Sequence, residues 1–356
     1  DPLDLGPLTL PNRVLMAPLT RSRAHQPGDV PWSLNAAYYA QRASAGLLIA
    51  EATYVHPMGK GYAFIPGIAN DAQRDGWRLV TDAVHDAGGR IFLQHFHAGR
   101  VSHTDLLNGA QPIAPSAGEV NTMTYTETSN GMVPVSPHRE LEANEIDEHI
   151  DAFAHGARLA IEAGFDGVEI HGANGYLLDQ FTRDGSNRRN DEWGGSLENR
   201  LRFPLAVARR VAAGGGPERV GYRISPTGTF IGMEDSVPAT TFSTLAKCLG
   251  DIGIAYLHVA ESFAGSDRDD AVLAPTRDAF KGVYIANGAY TKALAHERMD
   301  AGKADAVAFG ETFLANPDLP TRLAQDAPLY EPDRDSYFGG DERGYTDYPT
   351  LEAASR

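Results

Sequence analysis

The sequence has little cysteine, a deficit of positive charge and no long apolar run, and each scarcity excludes a class of protein. One cysteine among 356 residues, Cys248, rules out an intrachain disulfide, a four-cysteine zinc site and a self-contained iron–sulfur cluster. The 31 Lys and Arg against 47 Asp and Glu give a formal charge of -16, which disfavours nucleic acids and anionic membranes, because both attract basic surfaces. No apolar run approaches the roughly eighteen residues of a membrane span, and no signal-peptide pattern opens the chain, so we expect a cytoplasmic protein.

A short apolar run, then a turn rich in Gly, Pro or polar residues, then a helical pattern recurs along the chain. Such runs are typical of parallel strands that are buried on both faces. At this length we expect an α/β fold, a (β/α)8 TIM barrel that spans residues 1–356 as a single domain, although an open doubly wound sheet has the same periodicity. The predicted strands are Val14–Ala17, Leu47–Ala50, Ile91–Gln94, Gly167–Ile170, Val220–Ile224, Tyr256–Val259, Val283–Ala286 and Ala306–Phe309.

Four further features of the sequence predict local structure. The stretch Leu3–Pro11 predicts a hairpin that closes the barrel floor. Apolar periodicity predicts a helix over Asp147–Ala163 that Gly164 ends in a left-handed turn, and Ser196 is a candidate N-cap of a later helix. The stretch 103–139 is too long for an ordinary loop, so we expect an excursion over the barrel mouth with a small hairpin of its own.

The chemistry of such a barrel takes place where the carboxyl ends of the strands meet the following loops. No Ser, Cys or Lys nucleophile stands at these ends. His171 and Asn174 are three residues apart, and if Gly175 opens a helical turn they converge on one oxygen as an oxyanion-type pair. Tyr176 follows them and is a proton donor at neutral pH. The alternative interpretation is purely structural: the histidine belongs to the core, the Asn-Gly pair forms a turn and the tyrosine only packs.

The strands and the loops that follow them also indicate a phosphate site and a buried cation. Gly288 and Gly310 lie in the loops after the seventh and eighth strands, where this fold often binds phosphate through backbone N–H groups. Arg223 interrupts an apolar strand, so it must face an anion or form an internal ion pair with Glu169 or Glu261.

A metal-dependent hydrolase is an alternative that rests on His95 and His97, two histidines at strand spacing near the barrel mouth. His171 and His258 are available as further ligands, but the eighth strand offers Gly310 where a carboxylate is needed. We therefore expect no metal. The G-x-G-x-x-G fingerprint after a strand is also missing, which disfavours a Rossmann domain.

Nine stretches of the chain match a known pattern: Asn12–Arg21, Tyr39–Leu47, Lys60–Ala63, His171–Leu178, Asn187–Arg189, Gly194–Ser196, Asn199–Arg200, Asn316–Leu319 and Gly344–Pro349. Together they resemble the old yellow enzymes, the FMN-dependent ene-reductases, and are most similar to the branch of N-ethylmaleimide and nitrate-ester reductases. The resemblance covers essentially the whole chain.

The resemblance implies a bound FMN, with NADPH or NADH as the hydride donor. It places Thr20 at the O4 edge of the flavin near N5, and Arg223 beside N1 and O2, where negative charge accumulates on reduction. His171 and Asn174 would bind the substrate oxygen, and Tyr176 would donate a proton. The implied cofactor shell is Pro18, Leu19, Thr20, Ala52, Gln94, His171, Arg223, Asn287, Gly288, Phe309, Gly310 and Glu311. The implied substrate pocket is Tyr62, Phe96, His171, Asn174 and Phe338.

The implied activity is a ping-pong reduction of activated C=C bonds in α,β-unsaturated carbonyls, maleimides or nitroalkenes, by hydride transfer through flavin N5. Nitrate esters, nitroaromatics and quinones are alternative substrates. Two alternatives from other classes are a non-redox barrel enzyme for sugar phosphates and a flavin-binding protein without turnover. We expect a small-molecule partner and a monomer or small homo-oligomer.

Three positions depart from the residues common in this family. Phe96 stands where Trp is frequent, and Phe338 stands where Tyr is frequent, which widens the pocket and removes a hydroxyl. Glu311 stands where relatives commonly place an Arg on the phosphate. A carboxylate there repels a dianion, so we expect Glu311 to turn away and FMN to bind more weakly than in Arg-bearing relatives.

Overall fold

The structure is a computed structural model that describes residues 1–264 and 266–354. Its centre is a closed barrel of eight parallel strands, which confirms the predicted TIM barrel and excludes the open sheet. The barrel strands, in chain order, are β1 (Val14–Met16), β2 (Leu48–Tyr54), β3 (Ile91–Phe96), β4 (Gly167–His171), β5 (Val220–Ile224), β6 (Tyr256–Ala260), β7 (Val283–Asn287) and β8 (Ala306–Phe309).

The predicted ends of two strands are wrong. The strand predicted to end at Ala50 continues to Tyr54, and the one predicted to end at Gln94 continues to Phe96. These extensions pair with each other beyond a register shift between Ala50 and Thr53. The polar Glu51 looked like a strand end, but its carboxylate is buried and accepts the backbone N–H of Arg21 at 3.1 Å.

The barrel floor is closed by an antiparallel hairpin of two strands, Leu3–Leu5 and Leu8–Leu10, as predicted. Leu5 and Leu10 are fully buried and pack with Leu15, Phe92 and Tyr256 from the barrel interior. This apolar plug leaves the opposite, carboxyl-terminal end of the strands as the open mouth.

Eleven helices are present in the described part of the chain, and none of them is long and apolar enough to cross a membrane. The N-cap prediction is confirmed, because Ser196 Oγ accepts the backbone N–H of Asn199 at 3.3 Å. Gly164 has the expected left-handed conformation, with φ of 99°. The helices are α1 (Ser33–Ala40), α2 (Asp71–Asp86), α3 (Ile146–Glu162), α4 (Leu177–Thr182), α5 (Leu197–Gly215), α6 (Pro238–Ile252), α7 (Asp270–Ala279), α8 (Lys292–Asp300), α9 (Glu311–Ala315), α10 (Leu319–Gln325) and α11 (Leu351–Ala354).

The excursion after β3 contains the small hairpin that its length predicted. Met123–Thr124 and Val133–Pro134 pair antiparallel, whereas Ile113–Ala114 and Arg139–Glu140 form a short parallel pair. The carbonyl of Tyr125 accepts the backbone N–H of Ala63 at 3.1 Å. The hairpin therefore lies against the segment that carries Tyr62.

Candidate active site

A buried arginine and an amide link three strands at the mouth. Arg223 on β5 is the register partner of His171, the last residue of β4. Its Nη2 donates to Oδ1 of Asn287 at 2.8 Å, and Nδ2 of Asn287 donates to the carbonyl of Ala308 at 2.7 Å. The hydrogen-bonding partner of Arg223 is thus an amide rather than the carboxylate of Glu169 or Glu261 that an internal ion pair requires.

Three polar atoms at the mouth are buried and have no hydrogen-bond partner within the described residues: Nδ1 of His171, Oδ1 of Asn174 and Nε of Arg223. An unsatisfied buried polar atom costs about 1–3 kcal/mol, so this end of the barrel is built to receive a polar ligand. Burial, together with the charge of Arg223, lowers the pKa of His171 well below its usual range, so the imidazole is neutral. A planar ring with carbonyl and nitrogen edges, and a substrate oxygen above it, would supply the missing partners, so these residues fit a flavin.

The turn that carries Asn174 differs from the predicted one. Gly175 does not open a helical turn, because Asn174 and Gly175 both have left-handed conformations, with φ of 58° and 82°. Helix α4 begins only after Tyr176. The backbone N–H of Asn174 donates to Ser225 Oγ at 2.8 Å, and that of Gly175 donates to Asp179 Oδ2 at 3.0 Å. This tight turn reverses the chain and places the centre of the Tyr176 ring 5.2 Å from the centre of the His171 ring.

A second tyrosine holds the Tyr176 hydroxyl. The Oη atoms of Tyr62 and Tyr176 are 3.0 Å apart. The ring of Phe96 lies edge-on to Tyr176 at 4.6 Å and 5.9 Å from His171. Burial raises the pKa of Tyr176 to about 12, and it raises the pKa of Tyr62 well above its usual range. Both phenols therefore keep their protons at neutral pH.

The outer edge of this pocket contains a residue that sequence reasoning missed. The Tyr125 ring lies 5.5 Å from Tyr62 and 5.8 Å from Phe338, so it connects the excursion to both predicted pocket residues. Phe338 itself is 57% exposed and lies at the rim. The alternating pattern of the excursion predicted strands but not the tertiary contact that Tyr125 makes.

The predicted flavin shell lies on the neighbouring strands and loops. Pro18, Leu19 and Thr20 follow β1 and are half-buried, whereas Ala52, Gln94 and Phe309 are buried on β2, β3 and β8. These six positions are brought to the same end of the barrel as His171 and Arg223.

Beneath the mouth lies a buried carboxylate, Glu169, which the sequence offered only as an ion-pair partner of Arg223. Its oxygens accept Nε2 of Gln94 at 2.7 Å, Nδ1 of His258 at 2.8 Å and the hydroxyl of Tyr256 at 3.0 Å. Burial alone would raise the pKa of Glu169, but His258, Arg223 and Gln94 outweigh it and keep that pKa below its usual range. Burial lowers the pKa of His258, so a neutral imidazole donates to an ionised Glu169.

The loops after β7 and β8 contain the predicted glycines, and the loop after β6 contributes a cation that was not predicted. Gly288 has φ of 117°, and a Cβ there would lie 2.3 Å from the carbonyl oxygen of Ser262, so only glycine fits. Arg268 donates from Nη2 to the carbonyl of Gly288. Its guanidinium lies 4.5 Å from the centre of the Tyr290 ring, and its Nε lies 3.3 Å from Glu261 Oε2. Arg268 belongs to an irregular segment, which explains why no strand-end pattern marked it.

Glu311, a departure from the family pattern, lies at the start of α9. Its side chain is 55% exposed, with its Oε2 3.6 Å from Nη2 of Arg334. At Gly310, the other predicted phosphate residue, an added Cβ would lie 3.5 Å from the Leu19 side chain.

The histidines of the metal alternative do not form a site at the mouth. Burial lowers the pKa of His95 to about 3, and neither of its ring nitrogens has a partner in the described structure. His97 lies beyond the end of β3, so the two-residue periodicity of the strand stops before it, and its ring packs with His56 and His149 instead. His171 and His258 belong to the polar networks described above.

Three comparisons with known proteins bear on this site. Residues 1–329 match the model of the NADH:flavin oxidoreductase / NADH oxidase family. The chain is 46% identical to 12-oxophytodienoate reductase 1 of Oryza sativa subsp. japonica, over 99% of this chain and 92% of that protein. It is 47% identical to morphinone reductase in complex with tetrahydroNAD, with a TM-score of 0.94 over 100% of this chain and 98% of the other. It is 44% identical to the old yellow enzyme homologue of Zymomonas mobilis, with a TM-score of 0.95 over 99% of both chains.

Proposed function

Because the chain belongs to the NADH:flavin oxidoreductase / NADH oxidase family, we propose that it is an ene-reductase that reduces activated C=C bonds conjugated to a carbonyl or nitro group. Family membership confirms the expected oxidoreductase class and the FMN cofactor, and it excludes the non-redox barrel enzyme. FMN supplies the exchange of a hydride between a nicotinamide and the substrate when it is bound. All further chemistry belongs to side chains of this protein.

The observation that carries the proposal is the unsatisfied buried Nδ1 of His171 beside a protonated Tyr176, with Nδ2 of Asn174 as the second donor that this turn offers. Two polar side chains directed at one substrate oxygen withdraw electrons from a conjugated alkene and stabilise the negative charge that develops on that oxygen. The neutral His171 acts as a hydrogen-bond donor without bringing a full charge. Two relatives are named as reductases of 12-oxophytodienoate and morphinone, which are oxo compounds by name, and this supports a carbonyl oxygen as the anchored group.

Tyr176 is the residue that we assign to proton delivery. Its hydroxyl keeps its proton at neutral pH and lies within hydrogen-bond distance of Tyr62. General acids of this kind contribute typically 10²–10⁴-fold to a rate. Tyr62 and Phe96 position the Tyr176 ring, and Tyr125 and Phe338 border the pocket on the solvent side.

We assign flavin binding to two groups of residues. Thr20, Gln94 and Arg223 would meet the polar edges of the ring, with the apolar Pro18, Leu19 and Ala52 around it. Gly288 and Gly310 would present backbone N–H groups to the phosphate, with Asn287, Phe309 and Glu311 adjacent to them in the chain. We assign the cationic charge at this end to Arg268, which donates to the carbonyl of Gly288.

The test is a substrate panel run with both NADH and NADPH. We expect cyclohexenone, N-ethylmaleimide and a nitroalkene to be reduced, and His171→Ala to raise KM for each of them. His155→Ala, an exposed histidine on α3, is the matched control and should change nothing. Turnover of nitrate esters, nitroaromatics or quinones with no measurable alkene reduction would contradict the proposal and support the alternative substrates.

A further inference from the structure

Three histidines that the proposed reaction does not use meet between two strand ends and a helix. His56 follows β2, His97 follows β3 and His149 lies on α3. Their ring centres are 4.7 Å apart for His56 and His149, 5.0 Å for His97 and His149, and 6.4 Å for His56 and His97. One ring nitrogen from each lies within 4.8 Å of the other two. Among the described residues, no other group of three His, Cys, Asp or Glu residues brings its ligand atoms this close together.

Two of these rings hold buried nitrogens that lack a partner. Nε2 of His97 and Nδ1 of His149 make no hydrogen bond within the described residues, and the two residues are 1% and 4% exposed. The opposite nitrogen of His97 accepts the backbone N–H of Gly99 at 3.1 Å, so Nε2 is the atom left free. Polar groups in this state destabilise a fold, and a bound cation would satisfy both at once.

A carboxylate and a route from solvent complete the arrangement. Oε1 of Glu148 lies 3.2 Å from Nε2 of His56. The side chains of His56 and Glu148 are 20% and 66% exposed, so a dissolved ion reaches the cluster from the surface. The net charge of -16 also attracts cations to the molecule.

We propose that His56, His97 and His149 bind one divalent transition-metal ion of the Zn²⁺ class, with Glu148 as the fourth ligand. Three imidazole nitrogens and one carboxylate oxygen form a set that zinc takes in tetrahedral geometry. This site differs from the hydrolase site considered from the sequence, because it combines His97 with His56 and with His149 of α3, and excludes His95, His171 and His258. Its effect is to tie α3 to the loops that follow β2 and β3.

Metal binding at this site has a definite cost. Nδ1 of His56 and Nδ1 of His97 each accept a backbone N–H, from Met58 and Gly99, at 3.1 Å. Coordination through Nε2 places the ring proton on Nδ1, which breaks those two hydrogen bonds. The direct contact between His56 and Glu148 must also be replaced by coordination of both side chains to the same ion. We therefore expect weaker binding than at a closed structural zinc site.

The experiment uses the FMN-loaded full chain without an affinity tag, stripped of metal with a chelator and titrated with ZnCl₂ in a calorimeter. We expect saturable binding of one ion and a rise in melting temperature. Co²⁺ should give the visible absorbance of a tetrahedral site after subtraction of the flavin spectrum. His149→Ala should abolish all three signals, and Glu148→Gln should weaken binding by at least about tenfold.

Two control variants separate this site from others on the chain. His155→Ala and Cys248→Ser remove metal-binding groups elsewhere and should leave the affinity unchanged. Flavin absorbance and circular dichroism verify that each variant is folded, and His56→Asn replaces His149→Ala if the latter does not fold. The absence of saturable binding, unchanged affinity in the folded His149 or His56 variant, or loss of binding in either control would overturn the proposal.

Discussion

Replacement of Tyr176 by Phe tests the assignment of the proton donor most directly. The substitution removes one hydroxyl and keeps the ring that packs against Phe96 and His171. Because the substitution removes the assigned proton donor, we expect alkene reduction to slow by about 10²–10⁴-fold. The reaction of the bound flavin with NADPH should keep its rate, since it requires no proton from Tyr176.

Tyr62 provides a graded version of the same experiment. Burial raises the pKa of Tyr176 to about 12, and the hydrogen bond from Tyr62 acts in the opposite direction. Relative to an ordinary pKa of about 10, release of the Tyr176 proton therefore costs roughly 3 kcal/mol more. Tyr62→Phe removes a hydrogen bond worth about 0.5–1.5 kcal/mol, so it should slow alkene reduction by only about 2- to 12-fold.

Rapid-mixing absorbance measurements distinguish the two half-reactions. Wild-type and variant proteins are first reduced with NADPH and then mixed with cyclohexenone, and the return of flavin absorbance gives the second rate. A solvent isotope effect should accompany this rate in the wild type and change in Tyr176→Phe. Wild-type reoxidation rates in Tyr176→Phe, or a larger loss in Tyr62→Phe than in Tyr176→Phe, would refute the reasoning.

Three further predictions concern substrate binding, cofactor binding and stability. His171→Ala should weaken the binding of phenols, whose oxygen imitates the anchored oxygen, and an unchanged spectroscopic dissociation constant would remove His171 from this role. Glu311→Arg should tighten FMN binding and Arg268→Gln should weaken it, and equal dissociation constants for all three proteins would contradict the charge argument. The pKa of His95 falls from about 6.5 to about 3, so the unfolded chain binds the extra proton and stability is lost as pH falls below about 6.5. At pH 5 this loss is roughly 2 kcal/mol, and urea unfolding of His95→Leu should show a shallower pH dependence.

Much of the fold could be predicted because each barrel strand is apolar on both faces. Strands β2 to β6 and β8 are buried at every position, so most of their residues are apolar. The same rule fails where a buried strand contains a polar residue. Glu51 on β2 and His95 on β3 lie inside strands that the sequence pattern ended too early. Periodicity does not reveal the hydrogen bond that Glu51 accepts from Arg21, nor that the His95 ring is buried without a partner in the described structure.

The candidate site was less predictable than the fold, because local sequence patterns do not reveal contacts between distant segments. Local pattern located His171, Asn174 and Tyr176 at a strand end, although it gave the wrong turn, because two successive left-handed residues have no periodicity to detect. Tyr125 and Arg268 were missed, since each reaches the site from a long irregular segment. The cluster of His56, His97 and His149 depends entirely on tertiary packing of residues that are far apart in the chain.

The barrel interior also explains how a buried cation at the mouth is tolerated. Arg223 has an amide partner, Asn287, and burial by itself lowers the pKa of Arg223. Glu169 lies two residues before His171 on β4, so it sits one layer below Arg223, and its ionised carboxylate opposes the desolvation of the guanidinium without a direct contact. In a direct ion pair, a carboxylate would balance the charge of the guanidinium and occupy its donors. The layered arrangement instead leaves Nε free. Arg223 therefore remains charged and available for the negative end of a bound ligand, which is the role that we assign to it.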